Sequence, residues 1–321
     1  MDRAVTRRAP LRWLRRTALT VVPVVVGVVL AVFFLLRLVP GDPARMILGD
    51  QATDESVAQL RHTLGLDQPL GRQFLDFVTT IVTRGDTGDS LVYGVSTREL
   101  ILARVPTSLV LIVLAVLFTT VIAVSLAVAA ARHRDGPVDH LVRVLPTITL
   151  GMPSFWTGLL LILLFAVTLG WFPVGGVGEG AGGILHSLVL PALTLSLGLA
   201  PPLIRSLRER LLETYSADFV TTLRAAGVPE RRVVLGHVLR NAAAPTATLL
   251  GVNVAYLIGG TLVVERVFAI NGLGTLLFNA IGNRDFPVVQ GVALYCALGV
   301  VVISVLVDLL VHRLDPRGGS R

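Results

Sequence analysis

Residues 218–245 read DFVTTLRAAGVPERRVVLGHVLRNAAAP and form a charged, helix-forming segment between two long apolar runs. Seven arginines fall within residues 205–240. A charged helical loop that joins two membrane-spanning runs presents its polar face to water, where another protein can bind it. The segment therefore predicts a membrane protein with a docking element for a partner in the aqueous phase.

The composition is that of an integral membrane protein. Of the 321 residues 53% are hydrophobic and 15% are charged, whereas soluble domains carry about 25% charged residues. The net charge of +7 comes from arginines that are spread over several loops. This distribution favours a membrane topology over a basic face that binds nucleic acid, so no nucleic-acid partner is expected.

The chain lacks residues that several classes of enzyme require. All 28 basic residues are arginine, so neither a Walker A lysine nor a Schiff-base lysine is present. The single cysteine, Cys296, excludes a disulfide framework and a cysteine metal cluster. We therefore predict no catalytic residue, no metal site and no cofactor in this chain.

Splitting the chain at its charges gives six apolar runs, each able to supply the roughly 20 residues that cross the hydrocarbon core. They are residues 18–36, 105–131, 144–178, 180–204, 241–264 and 286–307. The tail of the third run predicts an outer turn. The first run exceeds the apolar region of a signal peptide and precedes no cleavage pattern, so we predict an uncleaved span.

The arginines predict the orientation of these spans. With both termini inside, the cytoplasmic segments hold 19 arginines against 9 acids, and the outer segments hold 8 arginines against 12 acids. The predicted domains are a cytoplasmic segment 1–17, a transmembrane domain 18–311 and a cytoplasmic tail 312–321. An outer loop lies at about 40–104 and a cytoplasmic loop at about 205–241.

The outer loop is predicted to form small helices rather than a folded domain. Residues 54–64 have helical spacing and end at Gly65. Residues 69–83 place their apolar side chains on one face, which suits a membrane surface or the rim of the protein. The turn that follows holds Asp86 and Asp89. Two carboxylates are too few for a dedicated calcium site, so a solvated turn is expected.

Prolines predict kinks in two of the spans, because a proline removes a backbone donor. The third run holds Pro146, Gly151, Pro153 and Gly158, and the fourth holds Pro191, Pro201 and Pro202. Broken helices at membrane depth are tolerated where they line a cavity. We therefore expect the fourth run to line a cavity; irregular packing is the alternative.

The charged loop is predicted to form two short helices joined by a hinge. Residues 205–215 continue the fourth span into the cytoplasm, and Gly227 suits the left-handed end of a helix. Pro229 suits the first turn of the next helix, residues 230–241. His237 lies on the apolar side of that helix, where a structural hydrogen bond is expected rather than a metal.

Residues 218–245 resemble the conserved cytoplasmic "EAA" loop of binding-protein-dependent ABC import permeases, in the form found in the peptide-type subgroup. The matching positions are Thr222, Arg224, Ala225, Gly227, Val233, His237, Leu239, Arg240, Asn241, Ala242 and Pro245. Leu223 and Ala226 depart from that pattern, which has alanine and lysine there. Residues 33–44, 64–70, 265–291 and 308–317 are also similar to the family, so the resemblance covers nearly the whole chain.

The resemblance implies an all-α integral membrane protein with six transmembrane helices of the ABC type I importer permease fold. It implies a bacterial cytoplasmic membrane and a dipeptide or oligopeptide permease that pairs with a second, similar permease. Two cytoplasmic ABC ATPase subunits, which bind ATP and Mg²⁺, and an extracellular solute-binding protein are the other implied partners. Nickel, glutathione or a sugar remains open as the solute.

The resemblance also implies which residues carry the function. The ATPase-coupling loop is expected to act through Phe219, Arg224, Ala225, Gly227, Arg231 and His237. Asn253, inside the fifth span, either faces the solute path or hydrogen-bonds across helices. Glu265 and Arg266, at the outer end of that span, form a gate or a binding-protein contact, or alternatively an interfacial ion pair.

Two other classes of protein fit the sequence less well. A self-sufficient secondary transporter usually carries ionisable residues deep within its spans, and these spans are nearly free of them. An intramembrane enzyme would show a motif such as H-E-x-x-H or G-x-S-x-G, and neither occurs.

Overall fold

The structure is a computed structural model that describes residues 8–38, 41–49 and 52–314. Over these residues the regular elements are helices, and Asp89 and Ser96 form an isolated β-bridge. In chain order the helices are α1 (Arg8–Leu38), α2 (Pro43–Leu48), α3 (Asp54–Thr63), α4 (Leu70–Arg84), α5 (Thr97–Leu102), α6 (Val105–Arg132), α7 (Pro137–Leu150), α8 (Ser154–Leu161), α9 (Gly180–Tyr215), α10 (Asp218–Ala225), α11 (Glu230–Arg232), α12 (Leu239–Val267), α13 (Leu273–Gly282) and α14 (Phe286–Leu314). Ile162–Thr168 and Val233–Val238 are π-helical.

Several helices have the length and apolar character of membrane spans. In the described part of the chain the candidate spans are Thr97–Arg132, which takes in α5 and α6, Gly180–Tyr215, Thr248–Val267 and Phe286–Val307. The third predicted run falls on α7, α8 and the following π-helix, which make a fifth crossing if they form one span. The first predicted run lies in α1. The predicted all-helical membrane fold is confirmed.

The sharp break between helices lies in the third run and not in the fourth. The axes of α7 and α8 differ by 110° across residues 151–153, where Pro153 disfavours a helical conformation at Met152. By contrast, α9 continues past all three of its prolines. Its apolar stretch is 67% buried within the chain, compared with 28% for the other three candidate spans. The predicted kinks therefore do not break the fourth run, because neighbouring helices enclose it.

One compact unit of the chain comprises residues 107–274 and the described residues from 303 onward. Its centre is an apolar cluster from α6, α8, the π-helix after α8, α9 and α12, with Leu111, Leu188 and Val264 fully buried. Gly158 of α8 allows close packing here. A Cβ atom at Gly158 would lie 3.1 Å from the Phe268 ring, so a small residue is needed where these backbones approach.

The other unit comprises residues 8–106 and 275–302. As predicted, α3 is followed by Gly65 in a left-handed conformation, with φ of +63°. The next helix, α4, packs Phe74 and Phe77 against Phe33 of α1, with ring centroids 5.1 and 5.6 Å apart. Other apolar side chains of α4 are exposed, namely Leu70, Leu75 and Val82. The predicted apolar face thus packs partly against α1, and a position of α4 at a membrane surface or rim stays a prediction.

The turn after α4 is buried at Asp86 and Ser90 but exposed at Asp89, so the prediction of a solvated turn was wrong for Asp86. The Asp86 carboxylate is only 5% exposed and accepts a 2.7 Å hydrogen bond from the Ser96 hydroxyl. Ser90 donates its hydroxyl hydrogen to the buried Asp285 carboxylate, which also accepts the Leu91 N–H. Local spacing could not reveal this contact, because Ser90 and Asp285 are 195 residues apart.

We expect Asp285→Ala to destabilise the protein by about 1–3 kcal/mol, because it leaves the buried Ser90 hydroxyl and the Leu91 N–H without their acceptor. The measurement is the thermal unfolding midpoint of the detergent-solubilised protein. Asp89→Ala is the matched control, since Asp89 lies in the same turn but is exposed, and surface changes of this kind stay within about 0.5 kcal/mol. Equal midpoints for the two variants would contradict the proposed importance of Asp285.

Candidate functional site

The charged loop turns sharply between α10 and α11. Gly227 adopts φ of +74°, and its N–H donates to the Arg224 carbonyl at 3.0 Å. The Val228 N–H donates to the Leu223 carbonyl at 3.1 Å. These bonds satisfy carbonyls at the end of α10 in the way that a left-handed glycine cap permits. The predicted conformation of Gly227 is confirmed.

The underside of the loop is fixed to the ends of the membrane helices. Val220 of α10 and Val233 and Val238 of the π-helix are fully buried. They form one apolar cluster with residues of α6, α9 and α12, among them Leu207 and Leu211. Burial of this kind contributes roughly 1.5–3 kcal/mol for each large aliphatic side chain. The loop is therefore seated on three membrane helices.

The opposite face of the loop carries the residues that were predicted to contact an ATPase. Ala225, Gly227 and Arg231 are exposed, and Phe219 is 38% exposed although it is a large apolar side chain. These four residues of the predicted set are therefore accessible in one short segment. Its role in coupling stays a prediction.

Arg224 differs from the other members of this set because it has a partner within the loop. Its Nε and Nη2 atoms donate to the Glu230 carboxylate at 3.1 and 2.8 Å. The hydrogen bond from Arg224 lowers the pKa of Glu230, and the same bond raises the pKa of Arg224. The pair thus joins the two arms of the turn on either side of Gly227. The sequence interpretation did not predict this pair, whose members are six residues apart across a glycine and a proline.

The second arm of the loop is not a separate short helix, which corrects the prediction for residues 230–241. The single turn α11 passes through the π-helix directly into α12. In a π-helix the residues i and i+5 are aligned, so Val233 and Val238 share the buried side, while His237 is exposed. Within the described residues the His237 side chain makes no hydrogen bond, contrary to the structural bond that was expected.

Glu265 is a fully buried acceptor at the start of α13. It accepts hydrogen bonds from the Ser108 hydroxyl and the Gly274 N–H, both at 2.6 Å. Ser108 in turn accepts the Leu273 N–H at 3.0 Å. The first N–H groups of a helix have no partner within that helix, so Ser108 and Glu265 together cap α13. Arg266 is exposed, and a gate role for this region stays a prediction.

Glycines shape the space around the Glu265 carboxylate. A Cβ atom at Gly272 would overlap this carboxylate, and one at Gly274 would overlap the backbone of Leu262. The sequence interpretation did not single out Ser108, Gly272 or Gly274. The sequence did offer a signal for this site. Two glycines occur within residues 271–274, a short distance after an acidic residue at the end of a span.

Asn253 lies in the middle of α12 and is half-buried. Its Nδ2 atom is buried and has no hydrogen-bond partner within the described residues. The cross-helix hydrogen bond that was one of the two expectations is therefore not formed by Nδ2 within this part of the chain. The choice between a solute contact and a bond to another chain stays open.

We expect Gly272→Ala to lower the thermal unfolding midpoint, because the added methyl group would displace the Glu265 carboxylate from its donors. Overpacking of this kind costs about 1–3 kcal/mol. Gly259→Ala is the matched control, since a Cβ atom at Gly259 in α12 would meet nothing within 4 Å. If both variants unfold at the wild-type temperature in detergent, the tight fit around Glu265 does not contribute to stability.

Known proteins resemble this chain over most of its length. Residues 120–318 match the model of the binding-protein-dependent transport system inner membrane component, and residues 10–111 match the N-terminal model of that membrane component. A putative peptide transport system permease protein of Brucella abortus (strain 2308) is 40% identical, over 92% of this chain and 95% of the relative. The glutathione transport system permease protein GsiC of Salmonella typhimurium (strain LT2) is 36% identical, over 95% and 98% of the two chains.

A solved structure shares the fold at lower identity. A chain of the inward-facing MetNI methionine ABC transporter (CY5 selenomethionine soak) superposes with a TM-score of 0.55 and 19% identity, over 68% of this chain and 97% of that chain. The predicted fold class is confirmed, as is the prediction of a membrane component rather than an enzyme. The chain belongs to the family of inner membrane components of binding-protein-dependent transport systems, and it is a multi-pass permease subunit.

Proposed function

We propose that the chain forms, with a second and similar permease, the path by which di- or oligopeptides cross the bacterial cytoplasmic membrane. An extracellular binding protein delivers the peptide, and two cytoplasmic ATPases drive the cycle. The relatives named for peptide and glutathione transport support this solute class, because they match nearly the whole chain at 40% and 36% identity. Glutathione is itself a tripeptide, so the two names point to one kind of solute.

The observation that carries the coupling role is the firm seating of the charged loop. Its buried valines bind it to α6, α9 and α12, while Phe219 and Arg231 are exposed on the other side. A partner that moves the exposed face would therefore move the ends of three membrane helices with it. An exposed apolar ring and an exposed guanidinium group, those of Phe219 and Arg231, suit a cleft of another protein.

The energy source of this transport belongs to partner chains. This chain contains no lysine and so cannot form a Walker A loop. ATP and Mg²⁺ are proposed to bind the ATPase subunits, which would contact the loop at Phe219, Ala225, Gly227 and Arg231. Arg224 would act by holding the turn closed through Glu230.

The proposed orientation places both termini and the charged loop in the cytoplasm. It rests on the 19 arginines of the proposed inner segments against 8 in the outer ones. The proposed domains remain residues 1–17, 18–311 and 312–321. For the solute path we propose Asn253, whose buried Nδ2 donor lacks a partner in the described chain, with a gate near Glu265 and Arg266.

We expect Gly227→Asp to abolish peptide uptake while the transporter still assembles. A Cβ atom at Gly227 meets open space, so the change places a carboxylate on the exposed face without crowding this chain. Gly227→Asn is the control, since asparagine tolerates the left-handed conformation and adds no charge. Uptake into proteoliposomes that contain both permeases and the ATPases, with the binding protein outside, measures the effect. Normal uptake by the aspartate variant would rule out ATPase docking at this face.

The solute class is tested in the same proteoliposomes. We expect trialanine, supplied with the cognate binding protein, to stimulate ATP hydrolysis and to accumulate inside the vesicles. Glutathione, Ni²⁺ and maltose are the comparison solutes. Accumulation of Ni²⁺ or maltose but not of either peptide would contradict the peptide assignment and leave the permease role intact.

A further inference from the structure

A cavity of about 330 Å³ lies between α7 and the part of α9 that extends beyond the fourth apolar run. Three arginines line it, Arg143, Arg205 and Arg208, together with Glu209. Val142 and Ile204, which are buried, supply apolar lining. The cavity thus combines a cationic rim with an apolar wall, and the proposed function uses none of these residues.

Two of the three guanidinium groups are held in place by Asp139. This carboxylate is 0% exposed and accepts hydrogen bonds from Arg208 Nε and Nη2 at 2.5 and 2.7 Å. Arg143 donates to the same carboxylate from the next turn of α7. A guanidinium group has five N–H donors, and the bonds to Asp139 use two of those on Arg208. The remaining donors are therefore available in a fixed orientation.

Arg205 adds a cation that is not neutralised within the described chain. Arg205 is exposed, and none of the ion pairs among the described residues includes it. The exposed Asp135 contacts both Arg143 and Arg134, so Arg134 offsets its charge. The charges of Asp139 and Glu209 still leave one positive charge in excess among the groups at the cavity. That excess favours an oxyanion with several acceptor oxygens.

The position of the cavity indicates where the oxyanion comes from. Ile204 is the last residue of the fourth predicted apolar run, and Arg205 is the first charged residue after it. Such a boundary lies at the depth of lipid headgroups, and basic pockets between membrane helices on the cytoplasmic side bind anionic headgroups. A free anion would gain nothing from the apolar wall, whereas the first acyl carbons of a lipid would contact it.

We propose that this cavity binds the phosphate group of an anionic phospholipid, with Arg205, Arg208 and Arg143 as donors and Val142 and Ile204 against the glycerol and upper acyl chain. The site goes beyond the transport role and rests on it only for the orientation of α9. A free phosphate ion offers the same oxygen atoms as the lipid headgroup. Only the lipid would also contact the apolar wall.

The test compares the assembled transporter in nanodiscs of phosphatidylcholine alone with nanodiscs that also contain phosphatidylglycerol. Native mass spectrometry after detergent release counts the phosphatidylglycerol retained on the complex. We expect retention by the wild type to fall about tenfold in Arg205→Gln, as loss of one charge-assisted bond predicts. The Arg205→Lys variant is expected to retain part of the phosphatidylglycerol. Arg210→Gln is the matched control, because Arg210 lies on the same helix, pairs with Glu213 and is absent from the cavity wall.

Equal retention by the wild type and Arg205→Gln would overturn the proposal. Inorganic phosphate added to the phosphatidylcholine nanodiscs provides the second arm, with the thermal unfolding midpoint as its measurement. An increase in that midpoint that requires Arg205 and matches the effect of phosphatidylglycerol would make this a free-phosphate site and overturn the lipid assignment. Peptide uptake by Arg205→Gln in proteoliposomes of phosphatidylcholine alone tests the transport function separately from the lipid site. Intact uptake together with lost lipid retention supports both proposals.

Discussion

Backbone N–H groups that lie away from water in this chain need acceptors from the protein itself, because lipid tails offer none. The start of α13 shows how this constraint acts. Its first N–H groups reach the Ser108 hydroxyl and the Glu265 carboxylate, and Gly272 leaves the room that the carboxylate occupies. A fully buried carboxylate is costly unless donors surround it, so the acid, the hydroxyl and the glycines have to occur together. The same requirement limits the break in the third run to a short segment between two helices.

The charged loop depends on a second, apolar interaction. Val220, Val233 and Val238 bury their side chains against the ends of three membrane helices, and the Arg224–Glu230 pair closes the turn above them. Exposed ion pairs contribute little to stability, so the valines hold the loop in place and the pair sets the geometry of its turn. A loop that is built in this way can transmit the motion of a partner to the membrane helices.

Local patterns in the sequence predicted much of this architecture. Apolar runs located the helices, because each span must bury about 20 residues in hydrocarbon. The left-handed conformation of Gly227 followed from its place between a helix and Pro229, since only a few residue types favour that conformation. The same kind of reasoning is less decisive for the fourth run. Three prolines predict kinks locally, yet α9 continues as one helix because its neighbours enclose it.

The sequence by itself determined the helical membrane class, the approximate spans and the exposed charged loop, because hydrophobicity and glycine or proline geometry act within a few residues. Only the tertiary structure decided which polar residues are enclosed. Asp285 meets Ser90, Glu265 meets Ser108, and Asp139 meets Arg208 across separations of 195, 157 and 69 residues. Those contacts depend on how helices pack against one another, and no local pattern records that packing.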